Sequence, residues 1–165
     1  MKHLFVILFI GLLSSCKEQT LSNNLTHNVE VDNLSARLEE LTEKYKPALG
    51  EIMAGIQMHH SKLWFAGINS NWKLSEYEIK ELKERIEQAK EIETNRPEIK
   101  DIPIIYSALD SISFAIKQKN MSLFKSNFQL LTNSCNTCHK AVNFEFNVII
   151  IPTALPVTNQ DFKVH

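Results

Sequence analysis

Two cysteines and a histidine near the carboxyl end of the chain have the spacing to do chemistry together: Cys135-Asn136-Thr137-Cys138-His139. Thiols three residues apart lie about one helical turn from each other, close enough to form thioethers with the two vinyl groups on one edge of a porphyrin. The next residue is then held beside the macrocycle, where an imidazole nitrogen can ligate iron from one face. The pentapeptide is the attachment pattern of haem c, with Cys135 and Cys138 as the covalent links and His139 as an iron ligand. With 3 Cys and 6 His in 165 residues, the pattern arises by chance with a probability of about two in a thousand.

A C-x-x-C pair also serves in zinc half-sites and in thiol–disulfide exchange. Structural zinc wants four ligands, and only His59 and His60 could join the pair from within the domain. A thioredoxin-like site needs a βαβ setting, and no strand–helix alternation is visible here. Haem is therefore the preferred cofactor, and the other face of its iron becomes the next question. Of the six histidines, His3 and His27 lie near the amino end, His165 is terminal and His139 is already used. His59 and His60 remain as distal candidates. Both sit at the edge of one helical stripe, so spacing alone does not separate them, and His60 is taken as the second metal ligand. Met53 and Met58 are further thioether candidates, although methionine at helical spacing usually packs a core.

The elements that must position these groups are helical. Leu34, Leu38, Leu41 and Tyr45 recur at steps of four, three and four and form a short amphipathic helix that Pro47 interrupts. A second helix from Pro47 to Gly67 carries Ile52, Ile56, Leu63 and the two histidines. A third has a capping box in Ser75 and Glu78, followed by Ile79, Leu82, Ile86 and Ala89. A fourth opens at Asp101 and Pro103 and shows Ile105, Leu109, Ile112 and Ile116. The last runs from Met121 through Phe124, Phe128 and Leu131 to the cysteines. Four such stripes with short connections predict an all-α fold, an antiparallel four-helix bundle preceded by the short helix. After Ala141, Pro152 and Pro156 exclude a long helix, and an extended tail packed over the bundle is expected.

The amino end reads as an export signal. Lys2 precedes an apolar run from Leu4 to Leu13 that is too short to span a bilayer comfortably. It closes in Leu13-Ser14-Ser15-Cys16, which resembles the lipobox of bacterial lipoproteins, in which the cysteine is acylated. Residues 1–15 are then a signal peptide, Cys16 a membrane anchor, 16–32 a polar flexible tether and 33–165 the domain. The expected place is the cell envelope, facing the periplasm or the exterior, where bacteria attach haem c. Loss of Lys2 leaves 17 basic against 19 acidic residues. A net charge near −2 gives no electrostatic footprint for nucleic acid.

A haem motif near the end of the fourth helix of a bundle resembles the cytochrome c′ type. The segment His59-His60-Ser61-Lys62-Leu63-Trp64-Phe65-Ala66-Gly67, with Asn71-Trp72 and Tyr77-Glu78, looks like a group of bacterial haem proteins of this class. The tail from Asn143-Phe144 through Pro152, Pro156 and Asn159-Gln160 to Phe162 is similar to that group as well, so the resemblance spans about Pro47 to Phe162. One departure is that about 26 residues follow His139, more than cytochrome c′ carries, and they could cover the haem edge.

Three functions compete. Electron transfer with iron held by His139 and a ligand from the second helix needs no substrate pocket and no enzymatic activity; its partner is a redox protein. Binding or sensing of a diatomic gas such as NO is what the cytochrome c′ resemblance implies, with an apolar distal side near Met53 and Ile56. Peroxidase-like chemistry would need a distal histidine free of the iron together with an arginine, and Arg37, Arg85 and Arg96 lie elsewhere. Electron transfer is the preferred reading, with gas binding as the alternative and a homodimer through the first two bundle helices left open.

Overall fold

The computed structural model describes residues 27–165. The signal peptide and Cys16 lie outside the described residues. Among those described there is no β-strand, so the fold is all-α as the periodicity predicts. The chain divides into two compact units between Lys46 and Pro47.

Helix α1 covers 27–45 in the first unit. It therefore takes in residues 27–32, which the polar composition assigns to a tether. Leu34, Leu38, Leu41 and Tyr45 share one stripe and are all exposed. The helix stops where expected: Lys46 makes the last backbone bond, to Thr42 (3.0 Å), and Pro47 disfavours helical dihedrals in the residue before it.

The second unit holds α2 (Leu49–Ile68), α3 (Trp72–Ile92), a 3₁₀ segment (Pro97–Ile105), α4 (Tyr106–Lys117) and α5 (Met121–Ala141). Helix α2 packs on α3 and α5, α4 packs on the same two, and the 3₁₀ segment lies against α5, α4 and α3. The core is one cluster, in which Ile52, Leu63, Leu82, Leu109, Ile112, Ile116, Phe124, Phe128 and Leu131 are almost completely buried. Each helix contributes residues at steps of three and four, the period that keeps one stripe inward.

Two helix starts differ from expectation. Helix α3 begins at Trp72, with Asn71 as its N-cap accepting from the Leu74 amide (3.2 Å). Ser75 and Glu78 are therefore one turn inside the helix and make no capping box. The Ser75 hydroxyl donates back to the Asn71 carbonyl (2.9 Å), and Glu78 is fully buried. Asp101 caps nothing either. Pro103 lacks an amide proton and restrains Ile102, so residues 97–105 wind as a 3₁₀ helix and α4 starts after them.

Helices α2, α4 and α5 end alike. The left-handed residue after each is Ser70 (φ 56°), Lys119 (φ 50°) or Asn143 (φ 57°). In each case the following amide reaches back five residues: Asn71 to Ala66, Asn120 to Ala115 and Phe144 to His139 (3.0, 3.1 and 2.7 Å). This is the Schellman geometry, which satisfies carbonyls that a helix end would leave bare. At the first of these ends Gly67, the penultimate residue of α2, lies so close to Phe124 that a Cβ would sit 2.0 Å from the ring. Only glycine lets α2 approach α5 there.

Candidate functional site

The last two turns of α5 carry Cys135, Cys138 and His139 on a rigid helix, as the pattern requires. Both thiols are free and partly buried, and Cys135 packs against the core. Burial, with a smaller contribution from Cys138, pushes the Cys135 thiol up to about 12. Burial and then the charge of Asp101 also raise Cys138. Both sulfurs thus keep their protons at neutral pH and are poor thiolate nucleophiles. They remain competent as neutral S–H groups, the form that adds across a vinyl double bond.

His139 has its two nitrogens in different roles. Its Nδ1 lies 2.7 Å from the Asn147 carbonyl oxygen. A carbonyl can only accept, so Nδ1 carries the proton, and in the neutral ring Nε2 keeps the lone pair, the arrangement a metal-ligating imidazole needs. The ring stands edge-on to Phe144, with centroids 6.0 Å apart and planes at 80°.

The tail that supplies Asn147 is neither helix nor strand, and it returns to the helices through side chains of α5 and of the α3 N-cap. The Schellman turn at Asn143 reverses the chain, and the Asn136 side chain then pairs with Ile149 twice. Its Nδ2 donates to the Ile149 carbonyl and its Oδ1 accepts from the Ile149 amide, both at 2.8 Å. Further on, Asn71 Nδ2 donates to the carbonyls of Phe162 and Lys163 (3.3 and 3.0 Å), and Phe162 is buried.

The two adjacent histidines are separated cleanly. His60 is buried on the inner stripe of α2, its ring 4.4 Å from Phe128 and its Nε2 2.9 Å from Thr132 Oγ1. The Thr132 hydroxyl proton is already donated to the Phe128 carbonyl (2.9 Å), so His60 Nε2–H is the donor and its Nδ1 holds the lone pair. Burial lowers the His60 pKa to about 4, so the ring is neutral at pH 7. Thr132 is three residues before Cys135 and seven before His139, about 10 Å along the axis from the latter. His59 turns instead to α3, where its Nδ1 meets Glu78 Oε2 at 2.8 Å. The other Glu78 oxygen, Oε1, is buried without a hydrogen-bond partner. Met53 packs against the core while Met58 is exposed.

Asn136, Asn147 and Thr132 were not singled out by their spacing, and Glu78 reads by its spacing as half of a capping box and not as a partner of His59. Only Asn136 carried a signal, its place inside the motif. Among the described residues, no group of three or more His, Cys, Asp or Glu side chains is gathered to hold a metal ion; haem iron asks for no such group, since the porphyrin supplies four ligands. A shallow depression between α3 and α4, lined by Lys83, Glu87, Tyr106, Leu109 and Asp110, includes none of the motif residues. Among the described residues, no helix is long and apolar enough to cross a membrane.

No protein-family model, curated protein or solved structure matches the chain.

Proposed function

We propose that this chain is a c-type cytochrome of the cytochrome c′ type, which holds one haem covalently through Cys135 and Cys138 and carries electrons in the cell envelope. The observation that carries the reading is the state of His139: its Nδ1 proton is committed to Asn147, and Nε2 is left free one residue after a pair of neutral thiols. When bound, haem supplies a one-electron iron couple. The residues supply the rest: two anchoring sulfurs, one axial nitrogen, and a packed core that keeps reorganisation small.

The proposed architecture is an antiparallel four-helix bundle of α2 to α5. It is supported by the closed ring of neighbours, α2 on α3, α3 on α4, α4 on α5 and α5 on α2. The pairs Gly67–Phe124, Trp64–Phe128 and His60–Thr132 also run in opposite directions along α2 and α5. Continuing that register sets Ile56 and Met53 level with Cys135 to His139. The anchor is assigned to Cys16 and the partner to a redox protein, and no catalytic step is assigned to the chain.

In the electron-transfer reading, His60 would be the second protein ligand, through its Nδ1 lone pair or through Nε2 after leaving Thr132. A second reading has an observation in its favour. Because His60 Nε2 is tied to Thr132, the iron would be left five-coordinate beside Ile56 and Met53 and open to a diatomic gas such as NO. An absorption spectrum of the reduced, haem-loaded protein with and without CO and NO decides between them. A low-spin spectrum indifferent to both gases supports electron transfer with His60 bound; a high-spin spectrum that shifts with either gas overturns it in favour of gas binding.

A further inference from the structure

We infer that residues 143–151 form a strap, anchored on Asn136, that fixes which nitrogen of His139 faces the iron, and that Asn136 is therefore a positioning residue for haem ligation. This rests on the haem reading above.

The argument begins with the helix. Cys135 and Cys138 form one pair three residues apart, and Asn136 and His139 form a second, rotated by about 100° on the same two turns. One pair is available for covalent attachment while the other receives the returning chain. The turn at Asn143 (φ 57°) brings the chain back alongside α5. The Phe144 amide then caps the His139 carbonyl at 2.7 Å, and the Asn147 carbonyl takes the His139 Nδ1 proton at 2.7 Å. Asn136 closes the loop by reading both polar groups of Ile149 at 2.8 Å.

Apolar burial does not hold this segment down. Phe146, Val148 and Ile150 are 75%, 64% and 64% exposed, and only Ile151 packs against the core. Between the turn and Ile151, two side chains grip the backbone, His139 at the Asn147 carbonyl and Asn136 at both polar groups of Ile149. If the Asn136 amide is removed, two hydrogen bonds go together, and the Asn147 carbonyl loses its fixed place beside His139 Nδ1. The proton of His139 is then free to move to Nε2, where it competes with ligation. Outer partners of this kind both orient an imidazole and raise its basicity.

The test uses the full chain in two states. In the haem-free protein, long-range proton–nitrogen NMR should show His139 almost wholly with its lone pair on Nε2. In Asn136→Ala, and in Ile149→Pro, which deletes the amide without touching α5, that population should fall to the mixture of an unrestrained histidine. Asn136→Asp keeps the acceptor for the Ile149 amide and should recover part of it. Wild-type populations in both disruptive variants would overturn the strap, as would a wild-type His139 already in the mixed state. Haem loading is scored separately. Wild type and Asn136→Ala should both take haem, because the thiols are untouched, with a higher midpoint potential in the variant as His139 becomes a weaker donor. Equal potentials would count against the strap, whereas failure of wild type to take haem would remove the haem reading and leave the NMR result to judge the strap on its own.

Discussion

His60 offers the sharpest quantitative prediction. It is 2% exposed, and burial holds its pKa at about 4 against an ordinary 6.5. The unfolded chain therefore takes up a proton below pH 6.5 that the folded chain refuses until about pH 4. Stability from this residue is complete above 6.5 and is lost as the pH falls through that window. At 1.36 kcal/mol per pKa unit, the loss is about 3 kcal/mol. In His60→Leu the titration is gone, and Thr132 stays satisfied through its bond to the Phe128 carbonyl. Urea unfolding of the haem-free protein and of the variant, at half-unit steps from pH 7 to pH 4, isolates the effect as a difference that cancels the carboxylates common to both. Wild type should lose about 3 kcal/mol more than the variant across that range. Two parallel pH curves would refute the reasoning, because they would mean that the imidazole protonates as easily folded as unfolded and is not held neutral in the core.

Three further outcomes are expected from the packing. Thr132→Val should cost about 1–3 kcal/mol by stranding the His60 Nε2–H in the core; in a His60→Leu background it should cost little, and a double-mutant cycle by denaturant unfolding measures the coupling. Gly67→Ala drives a methyl to 2.0 Å from Phe124 and should lower stability by about 1–3 kcal/mol, with partial recovery in Gly67→Ala/Phe124→Leu, read as a shift in thermal midpoint. Lys119→Gly should raise stability by about 0.5–1 kcal/mol, since the left-handed backbone at this exposed helix end (φ 50°) costs lysine and not glycine.

The parts legible in the sequence were those governed by a local period. The stripes of α2, α4 and α5 are built from Ile52, Ile56, Leu63, Leu109, Ile112, Ile116, Phe124, Phe128 and Leu131, whose spacing is their burial pattern. The break at Pro47 follows from one ring. What stayed hidden depends on contacts between elements. Ser75 and Glu78 have the form of a cap, yet Glu78 is drawn inward by His59 on another helix, while Asn71, delivered by the turn at Ser70, takes the capping role. His59 and His60 are 100° apart on α2, and only the positions of α3 and α5 decide which neighbour each one meets. The motif itself was readable from five residues. Its support by Asn136, Asn147 and Ile149 was not, because a left-handed Asn143 folds the tail back across eight to thirteen residues and leaves no periodic trace.

The haem assignment is tested most directly by producing the chain together with a c-type haem attachment system and weighing it after denaturation. The account predicts a mass increase of one haem on wild type, a pyridine haemochrome spectrum of the two-thioether kind, and neither in Cys135→Ala/Cys138→Ala. A wild-type chain that leaves the same cells with both thiols free and no bound haem would contradict it.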